Sequence, residues 1–174
     1  MAFQSTVSAN QGFGIVGEVF DSSNARIQPW TLRSDSAADN VFGRAFTVLS
    51  EGVAEAGKDG SQVFAGILVN PKEHALTGSG LSPSLTLPNE TQASLLSEGS
   101  VVVTLAATAN IGDCVTYENA TGIIKTQAPG ATITANHTQI IGAYVDRVTP
   151  NPLVSGATLA VITLSPNSRA SALA

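Results

Sequence analysis

The residues best suited to bind a metal or act as a nucleophile are few in this 174-residue chain: two histidines, His74 and His137, and one cysteine, Cys114. The histidines stand far apart and lack the HxH or HExxH spacing of a zinc site. Cys114 follows Asp113 at the start of an expected strand. A nucleophilic thiol needs a histidine or a helix N-terminus nearby to lower its pKa, and the local sequence offers neither, so Cys114 reads as buried and inert. Glu51 and Glu55 form a carboxylate pair in an acidic, Gly-containing stretch, where a solvated surface is the ordinary explanation. Gly12-Phe13-Gly14 with Gly17 matches the spacing of a dinucleotide fingerprint. It follows a polar N-terminus instead of an apolar strand, and β-type residues come after it where a helix is required. Gly78-Ser79-Gly80 lacks the strand-to-helix setting of a nucleophile elbow. Three Asn-x-Thr triplets, at Asn89, Asn119 and Asn136, read as turns in a chain without a recognisable secretory signal. No catalytic, cofactor-binding or metal-binding residue is assigned, and no cofactor is expected.

The elements that would position such residues are built from an unusual composition. Only 12% of the chain is charged while 43% is apolar and 5% aromatic, against about a quarter charged in typical soluble domains. A surface made of Ser, Thr, Asn, Gln and backbone suits contact with other subunits better than life as a free enzyme. The net charge of −5, without any basic cluster, argues against direct nucleic-acid binding, which draws on concentrated Lys and Arg. Val101–Ile111 is the most apolar stretch, and it is interrupted by Thr104, Thr108 and Asn110. It falls far short of the roughly 20 residues of a membrane helix, so no membrane span is expected.

Along the chain, residues 1–17 read as an N-terminal arm or, equally, as a first edge strand. Asp21–Arg26 is a polar turn, and Pro29 confines Ile27–Ser34 to an edge or irregular position. Ser36–Asn40 has room for one helical turn, Ala45–Leu49 for a strand, and Ser50–Gly60 for an exposed hairpin or loop. Val63–Val69 is a buried strand closed by Asn70-Pro71. Lys72–Pro88 is mostly loop, with a strand at Leu85–Leu87, and Thr91–Leu96 is read as helical. Ser100–Ala106, Asp113–Tyr117, Ile123–Thr126, Gln139–Val148 and Ala157–Leu164 are strands, the last ending at Ser165-Pro166. Such spacing, without amphipathic helices between the strands, predicts an all-β domain over 18–166, a single antiparallel β-sandwich or jelly-roll-like β-barrel. Residues 167–174 form a C-terminal tail that is mobile or docks only in an assembly. The strands at 139–148 and 157–164 are apolar on both faces. One face is surplus to a single core and is covered either by the same chain or by a neighbouring subunit, and the latter would suggest a dimer or trimer.

Three segments, Gly17-Glu18-Val19-Phe20-Asp21, Ile27-Gln28-Pro29-Trp30-Thr31-Leu32-Arg33-Ser34 and Val41-Phe42-Gly43-Arg44-Ala45-Phe46, occur in that order. They are followed by the apolar strand Val63–Pro71, by Ile111-Gly112-Asp113-Cys114-Val115 and by Thr121-Gly122. In this order and spacing the chain resembles the structural cement proteins of tailed bacteriophages over most of its length. The resemblance implies a non-enzymatic decoration protein, made in the host cytoplasm and carried on the outer surface of the virion. There it would bind the major capsid protein of an HK97-fold lattice and stiffen the expanded head. Phe3, Phe13, Trp30 and Arg33 are then the expected capsid anchors, because aromatic and Arg side chains dominate interface energetics. Trp30, the only tryptophan, is as readily a core residue. Another non-enzymatic assembly or adhesion subunit, a pilus- or tail-type β module, is the alternative.

Overall fold

The computed structural model describes residues 14–70, 86–150 and 156–171. Along it run the strands β1 Val19–Leu32, β2 Ala45–Ser50, β3 Val53–Ala56, β4 Phe64–Val69, β5 Gln92–Leu105, β6 Cys114–Glu118, β7 Ile124–Gln127, β8 His137–Pro150 and β9 Thr158–Ser171. One 3-10 turn, Ala37–Asp39, lies between β1 and β2, within the segment expected to make a helical turn. The Ser36 hydroxyl caps it by accepting from the Ala38 N–H.

Five strands close on themselves. β1 pairs in parallel with β3, and antiparallel pairings run from β3 to β2, β2 to β4, β4 to β5 and β5 back to β1. The second half of β5 leaves this small barrel and continues into an antiparallel sheet in the order β5-β9-β8-β6-β7. The architecture is all-β and mainly antiparallel, as the strand spacing predicts.

Each part has its own core. A five-stranded ring is narrower than the eight-stranded barrels whose interiors side chains just fill. Its lining is accordingly small, with Ala54, Ala56, Ala65 and Ala93 leaving room for Phe42, Phe46, Leu68 and Leu95. Gly66 of β4 serves the same narrowness: it has φ +148°, and a Cβ there would lie 2.6 Å from the Leu96 carbonyl oxygen of β5. The sheet core is made of longer and β-branched residues, including Val101, Val103, Val115, Ile140, Val145 and Ile162, around Tyr117. A third, smaller cluster lies on the far face of β5 and β9. There Val16 and Phe20 pack against Val102, Leu159 and Val161, so part of the same chain covers the surplus face of β9.

β8 is two-faced for another reason. Its register shifts between Ile141 and Ala143 and again between Val145 and Arg147. The buried set passes from Thr138 and Ile140 to Ala143 and Val145, because each bulge inserts a residue and reverses which parity faces the core.

Several other sequence expectations are corrected. Thr91–Leu96 is not helical but lies almost wholly in β5, where pairing with β4 on one edge and β1 on the other overrides local preference. Ser50–Gly60 is a hairpin, but β3 inside it is largely buried and Glu55 is only 4% exposed. Its carboxylate lies 3.4 Å from Lys58 Nζ, so it is not the solvated surface group expected beside Glu51. The Asp21–Arg26 turn is a bulge within one long β1. β9 does not stop at Ser165-Pro166 but runs to Ser171, because Pro166 sits in a bulge that needs no N–H from it.

Candidate functional site

Two large bulges shape a concave surface among the described residues. In β1, Asp21 is level with Ser100 and Arg26 with Glu98, so residues 22–25 are extruded. In β9, Leu164 is level with Ala143 and Arg169 with Ile141, so residues 165–168 stand out opposite Gly142. Both stretches are rich in Ser and Asn, and the second also contains Pro166, residues that favour irregular backbone over a continuous ladder.

A cleft of about 450 Å³ lies between the bulges and is lined by Asp21, Asn24, Glu98, Tyr144 and Pro166 among others. A second, of about 280 Å³, occupies the mouth of the barrel and is lined by Arg26, Gln28, Trp30, Val63 and Ser168 among others. Glu98 and Pro166 belong to both, so the two clefts form one trough. Val63, 69% exposed, and Tyr144, 46% exposed, leave apolar surface open along it. Arg26 and Glu98 are register partners on adjacent strands, yet neither joins an ion pair among the described residues.

Of the expected anchors, Trp30 packs against the barrel core and also lines the barrel mouth. Arg33 is not part of the trough. Its guanidinium grips Glu90 through Nε–Oε1 at 2.8 Å and Nη2–Oε2 at 3.1 Å, and this hydrogen bonding holds the Glu90 carboxyl below its ordinary value. Phe3 and Phe13 lie outside the described residues. Sequence reasoning missed Arg26, Val63, Glu98 and Tyr144, because only the bulges bring them to one concavity. It also missed a buried polar network at the other end of β1. There Asn40 Nδ2 donates to the Leu87 carbonyl at 3.1 Å and to Asn89 Oδ1 at 2.8 Å, and the Ser34 hydroxyl accepts from the Ala56 N–H at 2.8 Å.

The residues considered for catalysis do not converge. His137 Nδ1 lies 3.0 Å from the Ala135 carbonyl oxygen and shares a shallow polar cleft with Asp59 and Ser61. The Ser61 hydroxyl donates to Asp59, not to a histidine, which is not the arrangement of a base-activated nucleophile. His74 lies outside the described residues. Cys114 is a free thiol, half-buried on β6. Among the described residues no three His, Cys, Asp or Glu side chains gather as metal ligands.

Residues 3–165 match the family described as Structural cement protein (E217 gp24/Pam3 gp6). This chain belongs to that family. Among solved structures, a chain from "The capsid of Myoviridae Phage XM1" is similar with a TM-score of 0.62 and 18% identity. The match covers 95% of this chain and 99% of that one, and at this identity it establishes a shared fold. No curated protein matches the chain. The cement protein is thus a phage structural protein that stabilises the capsid, and it belongs to the virion. Its family role is structural.

Proposed function

We propose that this cement protein binds the outer surface of an HK97-fold capsid and bridges neighbouring major capsid protein subunits, so that the expanded head resists internal pressure. The observation that carries this reading is the family match over residues 3–165. The physical chemistry is consistent with it. The low surface charge suits permanent contact, and an acidic chain of net charge −5 gains nothing from facing packaged DNA. Bridging strengthens modest individual contacts, because the second attachment takes place at high effective concentration.

Phe3, Phe13, Trp30 and Arg33 remain the proposed anchors, with Arg33 acting beside its Glu90 partner. Self-association as a dimer or trimer loses the support of the two-sided β9, whose second face Val16 and Phe20 cover. Its remaining rationale is that two or three copies in one particle multiply the attachments.

Co-sedimentation with purified heads lacking this protein tests the reading. Saturable binding at a fixed ratio to capsid subunits, with raised resistance of the heads to heat, is expected for expanded heads. A folded sample that leaves the heads unbound and unstabilised would overturn it.

A further inference from the structure

We propose that the trough between the β1 and β9 bulges receives an extended segment of the capsid protein. That segment would carry a basic side chain where it crosses Asp21 and Glu98 and an acidic one where it crosses Arg26. This rests on the capsid-binding reading above and names the surface and the chemistry of the contact.

Three independent observations converge on the trough. The first is unpaired backbone. β9 pairs with β5 only as far as Leu164, and with β8 it resumes only at Arg169. The bulged residues 165–168 therefore carry no ladder pairing on either side among the described residues, and apart from Pro166, which has no N–H, their backbone groups are left for another partner.

The second is a pair of orphaned polar atoms. Trp30 Nε1 on β1 and Ser168 Oγ on β9 are buried without a hydrogen-bond partner among the described residues, and both residues line the barrel mouth. An indole nitrogen only donates, so its complement must bring an oxygen. Buried orphans of this kind call for an explanation in a native fold.

The third is charge. The larger cleft presents Asp21 and Glu98 without a cation, and the barrel mouth presents Arg26. The trough is thus acidic along the larger cleft and mixed at the barrel mouth, where Arg26 is the register partner of Glu98, an asymmetry that favours one direction of the segment. A second copy of this chain fits less well, because a two-fold axis sets the same patch on both partners and would place one concavity against another.

The test measures affinity for heads lacking this protein, with far-UV circular dichroism and thermal melting to establish that each variant is folded. Arg26→Glu and Glu98→Lys are each expected to weaken binding by about tenfold or more. Because they move net charge in opposite directions, parallel losses exclude general steering. Lys125→Glu on β7 alters net charge as much as Arg26→Glu and is expected to bind like wild type. Trp30→Phe keeps most of the packing and removes the N–H, and a loss of about fivefold is expected.

Wild-type affinity in both charge reversals would overturn the trough while leaving capsid binding intact. Reversals that abolish self-association in analytical ultracentrifugation, yet bind heads normally, would overturn it in favour of a second copy. Wild-type protein that fails to bind would bring down the capsid reading and the trough with it.

Discussion

In the barrel, alanines at positions 54, 56, 65 and 93 enclose Phe42 and Phe46, whereas the open sheet buries a broad layer of valine and isoleucine around Tyr117. The charges divide in the same way. Arg33–Glu90, Arg44–Asp39 and Lys58 with Asp35 and Glu55 all tie together the barrel and its loops. Beyond β5, the ion pairing among the described residues is Arg147 beside its sequence neighbour Asp146, with the guanidinium carbon 5.1 Å from the Phe20 ring centroid. A narrow ring has little apolar area to bury and relies on a few large side chains, ion pairs and the Asn40 network. A wide sheet relies on summed burial, at about 25 cal/mol per Å², and tolerates individual losses better.

The largest expected effect tests that contrast directly. Phe46→Ala is expected to cost about 4–5 kcal/mol, the upper part of the range for deleting a buried aromatic, because alanine neighbours cannot extend into the void. Ile162→Ala in the sheet is expected to cost about 2–3 kcal/mol, since its longer neighbours relax inward. Urea denaturation followed by circular dichroism reads both. Equal losses would remove the distinction between the cores. Since β5 belongs to both, a single transition is expected in each variant, and two separated transitions would show that barrel and sheet unfold independently.

Most strands were legible because apolar runs bounded by Gly, Asn and Pro survive in the fold, as at Phe64–Val69 in β4, where the exposed Val63, expected in the strand, falls outside it, and at Ser100–Leu105 in β5. What was not legible is how strands continue through irregularity. Asp21–Arg26 and Ser165-Pro166 carry ordinary turn signals, yet both are bulges inside fourteen-residue strands. A bulge and a turn call on the same residues for the same reason, backbone freed from the ladder, and only distant partners decide between them. For the candidate site this matters most. Trp30 was visible as a residue type, whereas Arg26, Glu98 and Tyr144 become neighbours only through the two bulges. Gly142 of β8 lies opposite the β9 bulge. It has φ +83°, and a Cβ there would collide with the Ser165 hydroxyl. Gly142→Ala is therefore expected to cost about 1–3 kcal/mol, seen as a lowered melting temperature. A loss below about 0.5 kcal/mol, typical of a neutral surface substitution, would show that the β8 and β9 bulges yield more easily than the barrel core.

The smallest effect at neutral pH separates the two regions by where they titrate. In the barrel, the Arg33 hydrogen bonds hold Glu90 below its ordinary 4.5. The stability this contributes is complete above that value and is lost as pH falls through the lower folded one, giving a gentle acid limb at an exposed pair. In the sheet, burial pushes the Tyr117 hydroxyl from 10.0 up to about 12. Between those values the unfolded chain has released a proton that the folded chain keeps, so stability that is full below pH 10 declines as pH rises toward 12. Tyr117→Phe removes that group and is expected to flatten the decline. Glu90→Gln is expected to soften the acid limb and leave the alkaline limb intact. Urea midpoints measured from pH 3 to pH 12 read both limbs. An alkaline limb that persists in Tyr117→Phe would mean that other groups carry it, and the assignment of acid sensitivity to the barrel and alkaline sensitivity to the sheet would fail.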